Sequence, residues 1–152
     1  GYVFSLSPDG KWLLYSRKSS LPVAEEINTL WVVSTVDENP KPINLNVKNV
    51  KHYAEWAPGA SNLIYYSTVA PRASAPGWQA NNDLFSLNFS FGGTYVKKEE
   101  ILPANSGGVY GWWGTTYSWS PDGKKIAYAR PDSIGQGNQD KKMTSAFIDL
   151  LP

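Results

Sequence analysis

Phe4-Ser-Leu-Ser-Pro-Asp-Gly-Lys-Trp-Leu-Leu-Tyr-Ser-Arg17 lines up without gaps on Tyr117-Ser-Trp-Ser-Pro-Asp-Gly-Lys-Lys-Ile-Ala-Tyr-Ala-Arg130. A degenerate third copy lies between them, Ala54-Glu-Trp-Ala-Pro-Gly-Ala-Ser-Asn-Leu-Ile-Tyr-Tyr-Ser67. A unit that returns every few tens of residues marks a repeat architecture. At its centre, Pro presets φ for a turn, Asp bonds its own backbone and Gly accepts positive φ. The runs after the turn, Trp12–Ser16, Asn62–Tyr66 and Lys125–Ala129, are rich in aromatic and branched residues and read as strands. Each turn therefore joins two antiparallel strands, A before it and B after it. The middle copy has lost the Asp, which puts its turn geometry in question.

A third strand, C, follows a loop in every copy: Leu30–Ser34, Leu84–Asn88 and Ala146–Leu150. A fourth, D, appears twice, at Lys41–Leu45 and Glu99–Pro103, where Pro42 and Pro103 suit an outer edge. The unit is a four-stranded meander, complete twice and lacking D in the third copy. No stretch carries a capped helical period; Glu25-Glu26-Ile27 forms one turn at most. The gapless alignment equates Leu6, Trp56 and Trp119. It also equates Leu13, Leu63 and Ile126, then Tyr15, Tyr65 and Tyr128, and on strand C Trp31, Phe85 and Phe147. Period-2 spacing puts positions 13 and 15 on one strand face, which is expected to pack between neighbouring units.

The segment Trp119–Tyr128, with the aromatic strand C after it, resembles the WD-like repeat of TolB-type proteins. The same repeat builds the propellers of prolyl-oligopeptidase and dipeptidyl-peptidase relatives and of oligogalacturonate lyase-like proteins. The resemblance covers nearly the whole chain and speaks to the repeat rather than to an activity. It implies an all-β fold: a partial β-propeller of about three four-stranded antiparallel blades, the last incomplete. The blades are expected at about residues 1–46, 47–103 and 104–152 of a single segment. Closed propellers usually hold four to eight blades. The expected partners are therefore further blades of a longer parent chain, or a second copy joined edge to edge. The resemblance also implies an extracytoplasmic location.

Bulk composition narrows the function classes. The chain has 152 residues, 14 basic and 13 acidic, for a net charge of +1, with seven Trp and nine Tyr. No basic stripe marks a nucleic-acid surface. No apolar run approaches the roughly 18–20 residues that a membrane helix needs. With no cysteine and one histidine, a zinc site of the usual kind is not expected. There is no nucleophile elbow, P-loop, dinucleotide fingerprint or calcium loop. No catalytic residue, metal or cofactor is assigned.

The parts that do not repeat carry the candidate site. In a meander, B–C and D–A connections share one end, opposite the Pro-Asp-Gly turns. The B–C loops Lys18–Asn28, Thr68–Asn82 and Pro131–Thr144 and the D–A loop Ala104–Thr116 are long and are expected to converge there. Long loops on a rigid scaffold commonly bind ligands. Tyr110, Trp112 and Trp113 stand among four glycines and either stack on a ligand or plug the gap between blades. Trp78 has the same two readings. His52 opens an inner strand and either faces the central channel or is structural. Repeated Asp9 and Asp122 read as turn residues, and Arg17 and Arg130 as salt-bridging or capping groups.

The expected function is non-catalytic binding of a protein, peptide or carbohydrate at the loop face. The alternative is the gating propeller of a prolyl-oligopeptidase-type serine peptidase whose hydrolase domain lies outside this chain. A pectin-fragment lyase fits less well, because a single histidine supplies no metal cluster.

Overall fold

Alternating or wholly apolar runs bounded by turn residues become strands throughout a computed structural model of the chain. The structure describes residues 2–18, 28–71, 78–90, 96–104, 117–131 and 143–149. Sheet 1 is the antiparallel meander β1 (Tyr2–Leu6), β2 (Trp12–Lys18), β3 (Asn28–Ser34) and β4 (Ile43–Lys48). Sheet 2 has the order β5 (Val50–Trp56), β6 (Leu63–Pro71), β8 (Leu84–Phe89) and β9 (Val96–Leu102), with β7 (Trp78–Ala80) paired to β6. Sheet 3 is β10 (Tyr117–Trp119), β11 (Lys125–Pro131) and β12 (Met143–Asp149). The fold is thus all-β and antiparallel, with no helix among the described residues. Among the described residues the three sheets do not close into a ring. Glu25-Glu26-Ile27 lies outside the described residues. Pro42 and Pro103 sit just outside β4 and β9 rather than within them.

The repeated turn is closed by its own side chains. Ser7 Oγ donates to Asp9 Oδ1 at 2.6 Å, the same oxygen accepts the Lys11 N–H at 3.0 Å, and the Trp12 N–H reaches Ser7 Oγ at 3.0 Å. Ser120, Asp122, Lys124 and Lys125 repeat the pattern at 2.5, 3.0 and 3.0 Å. These bonds favour the ionised carboxylate. The hydrogen bond from Ser7, then that from the Lys11 backbone, holds Asp9 below the usual carboxylate value of 3.8. Ser120, then the Lys124 backbone, does the same for Asp122. A carboxyl that titrates lower folded than unfolded adds stability above its unfolded pKa and loses it as pH falls through the folded one. The double variant Asp9→Asn/Asp122→Asn is therefore expected to lose less stability than the parent below about pH 4, read by urea midpoints across pH. Parallel curves would contradict this role.

The middle turn is built differently. In the first and third turns Gly10 and Gly123 occupy the fourth position, at φ 73° and 72°, donating to Ser7 and Ser120. In Ala57–Ala60 the positive φ, 75°, falls at Gly59 in the third position, behind Pro58, as a type II turn requires. The loop is one residue longer. Ser7 N–H reaches Trp12 O and Ser120 N–H reaches Lys125 O, but Ala57 N–H reaches Leu63 O. The turns of sheets 2 and 3 also touch: a Cβ on Gly123 would stand 3.2 Å from Pro58 Cβ, whereas one on Gly10 meets nothing within 4 Å. Both Gly→Ala changes force a left-handed alanine, at about 1 kcal/mol or more each. Gly123→Ala should lower the urea midpoint further than Gly10→Ala; equal shifts would contradict the contact.

That extra residue resets the equivalences between copies. Leu6 pairs with Leu13 and Trp119 with Ile126, but Trp56 pairs with Ile64. Ile64, not Leu63, is the counterpart of Leu13 and Ile126. Tyr66, not Tyr65, matches Tyr15 and Tyr128. On strand C, Tyr15, Tyr66 and Tyr128 pair with Trp31, Phe85 and Ala146, so Phe147 stands one position over, opposite Ala127. A one-residue slip moves every side chain to the other face, and the gapless alignment had merged two faces.

With the register corrected, each sheet has an entry face, carrying the Leu13/Ile64/Ile126 set, and an exit face on its other side. The exit face of sheet 1 (Leu14, Leu30, Val32, Leu45, Val47) packs on the entry face of sheet 2 (Ala54, Trp56, Ile64, Tyr66, Leu87). The exit face of sheet 2 (Tyr65, Leu84, Leu102) packs on the entry face of sheet 3 (Tyr117, Ile126, with Trp119 and Tyr128). The Tyr65 and Trp119 rings meet edge to face at 4.9 Å, and Tyr53 lies 4.7 Å from Tyr117. Burial pushes the Tyr53 hydroxyl above the usual tyrosine range; Glu55 adds to this, and the Trp119 indole works the other way. Each large side chain buried at these seams contributes roughly 1.5–3 kcal/mol. The entry face of sheet 1 has no described sheet against it: Leu6 is 56 % exposed, whereas Trp56 at the same repeat position is 3 % exposed.

Candidate functional site

One end of sheet 2 departs from regular pairing. β6 runs past its ladder with β8 and pairs with β7 through Val69–Ala80, Ala70–Gln79 and Pro71–Trp78. Part of the expected Thr68–Asn82 loop is therefore a hairpin. Asn82, buried at φ 54°, turns the chain from β7 into β8; asparagine tolerates this left-handed geometry better than most residues.

Asp83, only 3 % exposed, follows and anchors the end. Its Oδ1 accepts from Ser67 Oγ at 2.9 Å and from the Thr68 N–H at 2.7 Å, and its Oδ2 from Thr68 Oγ1 at 2.5 Å. Thr68 Oγ1 in turn accepts from Asn81 Nδ2 at 2.7 Å. The Tyr117 hydroxyl, from sheet 3, donates to the Asp83 carbonyl. A buried polar side chain is tolerated when its oxygens are hydrogen-bonded in this way. The network ties the β7 hairpin and the first strand of sheet 3 to β6.

A cleft of about 240 Å³ opens beside this network, between sheets 1 and 2. Val47 and Lys48 line it from β4, and Tyr66, Thr68, Phe85, Lys98 and Glu100 from sheet 2. Tyr66 and Phe85 stack, with centroids 5.4 Å apart and planes at 12°. Burial, with Asp83 adding to it, pushes the Tyr66 hydroxyl up to about 12. Register shifts crowd this end: between Asn44 and Lys48 in β4, between Val50 and Tyr53 in β5, and between Glu100 and Leu102 in β9. Asn46 in β4 and Asn49 beside it sit at φ 57° and 64°. Bulges concentrate at sheet edges and beside functional sites, where they re-aim side chains.

His52 lies in the β5 bulge, opposite the Ser67–Thr68 stretch, and is exposed. Partial desolvation, then Lys51, lowers its pKa from the usual histidine value. Trp78 opens β7, so its backbone and His52 belong to the same end of sheet 2. Tyr110, Trp112 and Trp113 lie outside the described residues, as does most of the D–A loop that carries them. Asp83 and the cleft residues were not among the sequence candidates. The Asn81-Asn82-Asp83 run just before strand C was the available signal for the network. Arg17, next to the last residue of β2, lies over the Trp31 ring at 4.6 Å. Among the described residues no cluster of His, Cys, Asp and Glu is arranged to hold a metal ion. No helix among them is long and apolar enough to cross a membrane.

Comparison with protein-family models, with curated proteins and with solved structures finds no match to this chain. Fold and geometry therefore carry the functional reading.

Proposed function

We propose that the three sheets are consecutive blades of a β-propeller, and that the segment is a non-catalytic binding module whose ligand face is the end bearing the Asp83 network, the β7 hairpin and the cleft. The observation that carries this reading is the head-to-tail packing of the sheets. An exit face meets the next entry face twice in succession, and a ring of blades needs that repeated operation. The half-exposed Leu13, Tyr15, Trp31 and Val33 and the exposed Leu6 on sheet 1 fit a further blade as their cover.

The loop end suits binding because the blades hold it rigidly while its strands are locally irregular. The absence of turnover is the test. Purified protein is expected to leave Gly-Pro p-nitroanilide and p-nitrophenyl acetate unchanged beyond the buffer rate. Hydrolysis that disappears in Asp83→Asn or His52→Ala would overturn the reading.

A further inference from the structure

We propose that the cleft between sheets 1 and 2 binds the carboxylate of an aromatic amino acid, free or as the last residue of a peptide. The proposal rests on the reading of this end as the binding face. Phe85 is half-buried at the edge of the seam, with the Tyr66 ring stacked nearly parallel to it. A ring held in that way offers surface for a second flat group, and offset stacking is a favoured aromatic geometry. Lys48 enters from sheet 1 and Lys98 from sheet 2; both are exposed, and neither forms an ion pair among the described residues. Two cations from opposite walls suit a carboxylate. Glu100 stands directly across the ladder from Phe85. It accepts from the donor next to that carboxylate, the amine of a free amino acid or the last N–H of a peptide. Thr68 is already committed to Asp83 and acts as wall.

Size points the same way. Sites for drug-sized ligands run about 300–1,000 Å³, and about 240 Å³ fits one residue rather than a folded partner. The bulges in β4 and β9 lie on both sides of the cleft, bending the two strands that supply Lys48, Lys98 and Glu100. The cleft thus has a flat floor, two cations and one acceptor, which together select a ring, a carboxylate and a donor.

Amide chemical-shift mapping tests this with L-phenylalanine, acetyl-Gly-Phe acid and acetyl-Gly-Phe amide. Both acids are expected to shift Val47, Thr68, Phe85 and Glu100. The amide should bind at least tenfold more weakly, and Lys98→Met or Lys48→Met should weaken the acids tenfold with the rest of the spectrum intact. Tighter binding of phenylalanine, lost in Glu100→Gln, identifies the free amino acid; tighter binding of acetyl-Gly-Phe identifies a peptide end. Equal affinity for acid and amide, unchanged affinity in both lysine variants, or no shifts at these residues at millimolar probe overturns the proposal and leaves the binding-module reading standing. Conversion of acetyl-Gly-Phe to cleaved products overturns the non-catalytic reading instead.

Discussion

Replacing Trp56 by alanine is expected to cost about 3–5 kcal/mol, the range for emptying a buried tryptophan site. Trp56 ends β5 within the cluster that joins sheets 1 and 2, with Leu14, Val32, Ile64 and Leu87. β1, β2 and β3 all lie over β5, so the resulting cavity opens beneath three strands of the preceding sheet. Leu6 occupies the same repeat position on a face that nothing described covers, at 56 % exposure. Leu6→Ala should therefore cost well under about 1 kcal/mol, since little area leaves water there on folding. Trp119→Ala should fall between the two, because Trp119 is half-buried against Tyr65. Urea midpoints order the three variants. Equal losses for Leu6→Ala and Trp56→Ala would mean that burial at the seam does not distinguish the copies.

Asp83→Ala should be the costliest polar change, at about 2–4 kcal/mol. It strands Ser67 Oγ and both donors of Thr68, and a hydrogen bond to a charged group is worth roughly 1.5–3 kcal/mol. Asp83→Asn keeps the shape but turns an amide NH₂ toward donors, so it should recover only part of the loss. Tyr117→Phe removes one hydroxyl from the Asp83 carbonyl and should cost about 1 kcal/mol. Amide exchange gives the local readout. In Asp83→Ala, protection of Val69 and Asn81, whose N–H groups bond to Asn49 O and Thr68 O, should fall before that of Ile64 in the centre of the sheet. Unchanged exchange at Val69 and Asn81 would show that the network does not hold the hairpin.

The strands were legible because their signals are local. Alternation, aromatic and branched residues, and Pro-Asp-Gly turns placed β1, β2, β3, β8 and β11 within a few residues. Which face of each strand packs where was not legible in the same way. It depends on the count of residues in the turn, and the gapless alignment of Ala57–Ser61 with Ser7–Lys11 hid one extra residue. The position of Gly59 where the other copies have Asp was the clue, since a type II turn needs glycine there. β7 escaped because Trp78-Gln79-Ala80 is too short for any periodicity. The cleft escaped because its residues come from four strands spread over Val47 to Glu100, and no spacing in the sequence brings them together. The Asp83 network had a compositional signal but no motif.

Methyl-to-aromatic nuclear Overhauser contacts test the head-to-tail packing of repeated faces most directly. Leu14 and Val32 methyl groups are expected to show contacts to the Trp56, Ile64 and Leu87 group, and Ile126 to Tyr65 or Leu84. Leu13 and Val33 are expected to show none to sheet 2. Contacts from Leu13 or Val33 to Trp56, in place of those from Leu14 and Val32, would contradict that packing.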